Sequence, residues 1–112
     1  MKKLLVRVFS ICLLSLGLNA SATEVEYSIS VDRVASDLDG MRKAGIGYNG
    51  KTPGETLRFK EGDTAVIHVT NNLDEPTSIH WHGLILPYNQ DGVPGISFPG
   101  IQPGETFTYK FP

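Results

Sequence analysis

The stretch T-A-V-I-H-V-T, residues 64–70, decides the fold class. Thr64, Val66, Ile67, Val69 and Thr70 are β-branched, which suits a pleated strand and crowds a helix. Alternation puts Ala65, Ile67 and Val69 on one side, and Val66, His68 and Thr70 on the other. The first set reads as core; His68 on the second side reads most simply as a solvated histidine. Upstream, Glu61-Gly62-Asp63 is a turn and Thr56–Lys60 a short strand, with turn signals at Asn49-Gly50 and Pro53-Gly54. Val25–Val31 alternates apolar with polar and reads as another strand, whereas Ala35–Gly45 is polar and reads as a loop. Downstream, Asn71–Pro76 is a loop, Thr77–Leu86 an extended segment and Pro87–Gly104 a long Gly- and Pro-punctuated loop. Thr106–Phe111 alternates again. Short strands at regular spacing, without a helical period, predict an all-β antiparallel sandwich or barrel. So few strands would leave one core face uncovered, and the last one ends at Phe111-Pro112. The expectation is therefore an amino-terminal piece of a longer protein.

The amino terminus is of another kind. Met1–Arg7 holds Lys2, Lys3 and Arg7, Val8–Leu18 is apolar, and Ala20-Ser21-Ala22 follows. A basic region, an apolar run of roughly 11 residues and an A-x-A site describe a secretory signal peptide over residues 1–22. The run is too short to anchor the chain across a bilayer, which needs about 20 residues. The mature part, residues 23–112, keeps all 12 acidic residues and seven of the ten basic ones, a formal charge of −5. An acidic exported domain is a poor fit to nucleic acid, which selects clustered Lys and Arg. Cys12, the one cysteine, lies in the leader, so the mature part has neither a disulfide nor a thiolate ligand.

Ser78–Gly83 reads S-I-H-W-H-G. On an extended chain His80 and His82 share a side, about 6.6 Å apart at the backbone, and Trp81 faces the other way. Gly83 permits a bend, and Asp91-Gly92 in the long loop can cover a site. Imidazole suits zinc, copper, iron or nickel. A blue electron-transfer copper needs a thiolate that the mature part lacks, and two or three imidazoles do not complete a structural zinc site. Such a pair leaves the site open, filled by water or finished by residues outside this sequence.

Taken in order, N-G-K-T-P-G-E-T-L-R-F (49–59), E-G-D (61–63), V-T-N (69–71), H-W-H-G (80–83) and D-G-V-P-G (91–95) resemble the first cupredoxin domain of the multicopper oxidases. The loop D-G-V-P-G-I-S-F-P-G-I-Q-P-G-E-T-F, residues 91–107, is most similar to the bacterial copper-resistance branch. The resemblance runs from about Tyr48 to Phe111. It implies a cupredoxin-like, plastocyanin-like Greek-key β-sandwich or barrel over residues 23–112, incomplete at its carboxyl end. It implies copper as cofactor, with His80 as a type 2 ligand, His82 as a type 3 ligand and Asp91 as a carboxylate assisting proton delivery. It further implies a periplasmic oxidoreductase that takes single electrons from Cu(I) or a phenol and reduces dioxygen to water, with partner cupredoxin domains supplied further along the chain. Two departures stand out: Glu55 replaces a common proline, and Arg7 lacks the second arginine of a twin-arginine leader, leaving the export route open.

Two other readings are compatible with the residues. One is a stand-alone periplasmic copper-binding module without catalysis. The other is a zinc enzyme in which His68 joins His80 and His82 around an activated water.

Overall fold

The computed structural model describes residues 22–37 and 40–112. The leader expected over Met1–Ala22 lies outside the described residues except for Ala22. Strands β1 (Glu24–Asp37), β2 (Arg42–Tyr48), β3 (Thr64–Asn71) and β4 (Thr106–Phe111) form one sheet in the order β2-β1-β3-β4. The helical element among the described residues is a single 3-10 turn, Tyr88–Gln90. The all-β expectation holds.

The pairing is mixed and not purely antiparallel. β1 and β2 form an antiparallel hairpin, and β3 and β4 also pair antiparallel although residues 72–105 lie between them, but β1 and β3 run parallel with Glu24 opposite Thr64. Parallel neighbours need a long crossover, and β2 with residues 49–63 provides it. The return is fastened where the Thr64 N–H donates to the Thr23 carbonyl at 2.9 Å.

Three segments differ from expectation. Residues 35–45, read as a loop, are mostly the paired tips of β1 and β2, in register from Val31–Tyr48 to Asp37–Arg42. Backbone ladders do not depend on apolar side chains, and the partly covered side of this ribbon carries Ser36 and Gly45, so no apolar alternation marks it. Residues 56–60, read as a strand, are extended without a strand partner. The Tyr27 hydroxyl stands in for one, accepting the Arg58 N–H at 3.1 Å and donating to the Arg58 carbonyl at 3.2 Å. Residues 77–81 form no regular strand and are ladder-bonded only at Thr77, whose N–H and carbonyl both pair with Ile101 at 3.0 and 2.8 Å, and His82-Gly83 then turn the chain, with the Leu84 N–H donating to the Trp81 carbonyl at 3.2 Å.

The core forms on the predicted side of β3. Ala65, Ile67 and Val69 pack with Val31, Leu73, Ile79, Ile101, Tyr109 and Phe111. Asn71, at the end of β3, is fully buried with every side-chain polar group satisfied. Its Nδ2 donates to the carbonyls of Glu75 (2.9 Å) and Ile101 (2.8 Å), and its Oδ1 accepts the Leu73 N–H at 2.9 Å. That amide ties the exit of β3 to the segment returning towards β4.

Candidate metal centre

Position 81 organises the local chain. The half-buried Trp81 ring meets Tyr109 and Phe111 edge-on, each at a centroid separation of 5.4 Å. Edge-to-face contacts of this kind add to the gain from burial. The Ile79 N–H donates to the buried Tyr109 hydroxyl at 3.1 Å. Burial pushes the Tyr109 phenol above its ordinary value, so it stays protonated and neutral at neutral pH. With residues 79 and 81 held inward by β4, the histidines at 80 and 82 project outward together. Their rings lie 5.7 Å apart at 70°. The period-two placement is thus realised without a regular strand, and the Gly83 bend lies at φ +83°.

His80 is oriented further. Its Nδ1 lies 2.8 Å from the Asp91 backbone carbonyl, an acceptor only, so in the neutral ring Nδ1 carries the proton and Nε2 the lone pair. The Asp91 carboxylate is 3.5 Å from the same nitrogen, and the two side chains are 46% and 38% exposed. The loop reaches His80 because residue 92 is glycine at φ +70°; a Cβ there would sit 1.8 Å from the Ile79 carbonyl oxygen. An open cavity of about 250 Å³ lies beside the segment, lined in part by Tyr27, Ile29, Leu57, Ile79, His80 and Trp81. Packed hydrocarbon does not seal His80 from it.

His68 lies elsewhere. On the outer side of β3 its Nδ1 pairs with Thr108 Oγ1 at 2.8 Å, and its Nε2 with Glu26 Oε1 at 2.5 Å. Both ring nitrogens are engaged. Among the described residues no group of three or more His, Cys, Asp or Glu side chains is arranged to hold a metal ion. The three-histidine zinc arrangement is therefore corrected: His68 is a polar staple across β1, β3 and β4. The donor chemistry of the remaining pair, one imidazole with a fixed lone pair beside a second exposed imidazole, fits a share of a copper coordination sphere.

Sequence reading did not find the Tyr109 hydroxyl. Its inward position in β4 was legible, but not the amide it would meet. The side chain of Gln90, which accepts the Lys110 N–H at 2.7 Å, left no pattern at all.

Comparison with known proteins identifies the family. The pattern of a multicopper oxidase family covers residues 30–112, and the chain belongs to that family. It is 50% identical over 86 residues to copper resistance protein A of Pseudomonas syringae pv. tomato, covering 77% of this chain and 14% of that protein. It is 47% identical over 98 residues to copper resistance protein A of Escherichia coli, covering 88% and 16%. Among solved structures, a multi-copper oxidase from Pseudomonas thermotolerans superposes with a TM-score of 0.75 at 42% identity, over 81% of this chain and 22% of that one. A laccase from Botrytis aclada gives 0.76 at 43% identity, over 80% and 17%. The chain thus spans only 14–16% of the length of these curated relatives. Family membership implies copper as the cofactor. No helix among the described residues is long and apolar enough to cross a membrane.

Proposed function

We propose that this chain is the amino-terminal, copper-binding portion of a periplasmic multicopper oxidase of the copper-resistance or laccase-like kind. Residues 1–22 act as its secretory leader, and residues 23–112 form part of the first cupredoxin domain. When bound, copper supplies the redox chemistry by which electrons from Cu(I) or a phenol reduce dioxygen to water. The protein's part is placement. His80 offers Nε2 to the type 2 position and His82 serves one type 3 position. The Asp91 carbonyl fixes the His80 tautomer, and its carboxylate, open to solvent beside the ring, orients water and relays protons towards reduced oxygen. Two imidazoles are a fraction of the donors such a centre needs, and the rest come from the remaining length of the protein, together with its further cupredoxin domains.

The observation that carries this reading is the bond from His80 Nδ1–H to the Asp91 carbonyl, which leaves Nε2 free beside His82. Equilibrium dialysis against Cu(II) tests it. The full-length protein is expected to bind copper stoichiometrically, and His80→Ala and His82→Ala each to lose copper from the centre they share while the far-ultraviolet spectrum stays unchanged; tight stoichiometric binding by residues 23–112 alone would instead favour the stand-alone copper-binding module. Binding should weaken on acidification, because protons compete for the imidazole nitrogens. Undiminished copper uptake by the folded double variant would refute the assignment.

A further inference from the structure

Strand β4 is the edge of the sheet, and three consecutive residues of it, 109–111, hold both halves of the His80–Asp91 hydrogen bond. Tyr109 and Phe111 face inward and clasp Trp81, while the Tyr109 hydroxyl takes the Ile79 N–H. These contacts fix the histidine half. Between them the Lys110 N–H points away from β3 at the open edge, where Gln90 Oε1 accepts it at 2.7 Å. Gln90 ends the 3-10 turn, and the next peptide carries the Asp91 carbonyl. That turn's own bonds, Gln90 N–H to Pro87 at 2.8 Å and Asp91 N–H to Tyr88 at 3.3 Å, shape it internally but do not attach it to the sheet. Gly92 then presses on the Ile79 carbonyl from the other side. The carbonyl is thus set by a side-chain tether before it and a close backbone approach after it.

We propose that Gln90 is a positioning residue for the metal centre: by docking the Asp91 carbonyl from the edge of β4, it holds His80 as the Nδ1-protonated tautomer and so keeps Nε2 available as a ligand. This rests on the copper reading above for its purpose, but not for its geometry. The uncharged amide at position 90 acts through an accepting oxygen, so a glutamate, which keeps that oxygen, can replace it, and a methionine cannot. Outer partners of ligating histidines are typically worth 10–100-fold in metal affinity. Acting one bond further out, Gln90 is expected at the lower end, about tenfold.

The test is long-range proton–nitrogen correlation NMR of the imidazoles in the full chain, metal-free and at a pH where imidazole is neutral, followed by Cu(II) titration. The unsubstituted protein should show His80 as the Nδ1–H form and a slowly exchanging Lys110 amide. Gln90→Met should mix the His80 tautomers, leave the His82 tautomer unchanged, speed Lys110 exchange and lower copper affinity about tenfold. Gln90→Glu should restore the tautomer and the slow exchange. A purely structural role would move neither tautomer selectively. The proposal is overturned if His80 is Nε2-protonated in the unsubstituted protein, a result independent of whether any variant folds. It is equally overturned if folded Gln90→Met keeps the original tautomer. Should the tautomer respond as expected while neither parent nor variant binds copper even within the full-length protein, the positioning stands and the copper reading falls.

Discussion

Replacing Asn71 by alanine should cost the protein about 2–4 kcal/mol, a figure built from the groups left behind. The amide makes three hydrogen bonds in a site with no solvent exposure. The Ile101 carbonyl keeps a partner after truncation, because the Thr77 N–H also donates to it at 3.0 Å. The Glu75 carbonyl belongs to an exposed residue and can turn to water. The buried Leu73 N–H is therefore the group that loses its acceptor, at about 1–3 kcal/mol, and the small cavity left by the amide adds about 1 kcal/mol. With a urea dependence of about 1–2 kcal/mol per molar for a domain of this size, the unfolding midpoint should fall by roughly 2 M. Asn71→Asp sharpens the test. The new carboxylate still accepts from Leu73, but it meets two carbonyls it cannot donate to, so burial and repulsion raise its folded pKa above the unfolded value. A raised carboxyl pKa means stability is retained below the unfolded value and lost as pH rises through the folded one. Asn71→Asp should then recover part of its loss on acidification, and Asn71→Ala should not. A loss under about 1 kcal/mol for Asn71→Ala, or an Asn71→Asp variant whose deficit ignores pH between about 4 and 7, would refute the reasoning.

Trp81→Ala should cost about 3–5 kcal/mol by removing the ring packed on Tyr109 and Phe111. Trp81→Phe should cost only about 1–2 kcal/mol, because the buried indole Nε1 has no hydrogen-bond partner to lose among the described residues; denaturant titration separates the two. Gly92→Ala, with its Cβ driven at the Ile79 carbonyl, should destabilise by at least about 2 kcal/mol and displace the His80 Nδ1 resonance, both measurable on one labelled sample. The Ser30 hydroxyl foremost, then Asn72 and the Gly50 N–H, hold the Asp32 carboxyl below the usual range. Its contribution to stability is present above the unfolded carboxyl value and disappears as pH falls through the lower folded one. Asp32→Asn should flatten that acid limb of the stability profile, and an unchanged limb would exclude the network as its source.

What could be read from the sequence follows where water stops. Residues 64–70 and 106–111 announced themselves because each has one dry side, and Ile67, Val69, Tyr109 and Phe111 occupy it as alternation required. His80, Trp81 and His82 were legible for the same reason: the indole had to go inward, which left the imidazoles together. The hairpin across residues 35–45 was not legible, since its partly covered side carries Ser36 and Gly45 and so shows no apolar alternation. Nor was the parallel contact of β1 with β3, because strand composition specifies a buried side, not the direction of a neighbour. The Tyr27 hydroxyl standing in for a strand beside Arg58, and Gln90 at the edge of β4, are side-chain-to-backbone bonds across 31 and 20 residues. Contacts of that sort have no period to detect.

The consequence for the proposed metal centre is that the placement of its two imidazoles comes from a strand that offers no ligand of its own. Thr106–Phe111 supplies the aromatic clasp on Trp81, the hydroxyl on Ile79 and the free amide for Gln90, all within three residues. An edge strand with an open row of amides is ordinarily a hazard for unwanted pairing. Here Gln90 covers one of those amides, so the same bond that blunts the edge also directs the carbonyl that chooses the His80 tautomer. Stability of the edge and geometry of the imidazole pair should therefore fail together, and a substitution in β4 that loosened the strand while leaving the His80 tautomer intact would break that link.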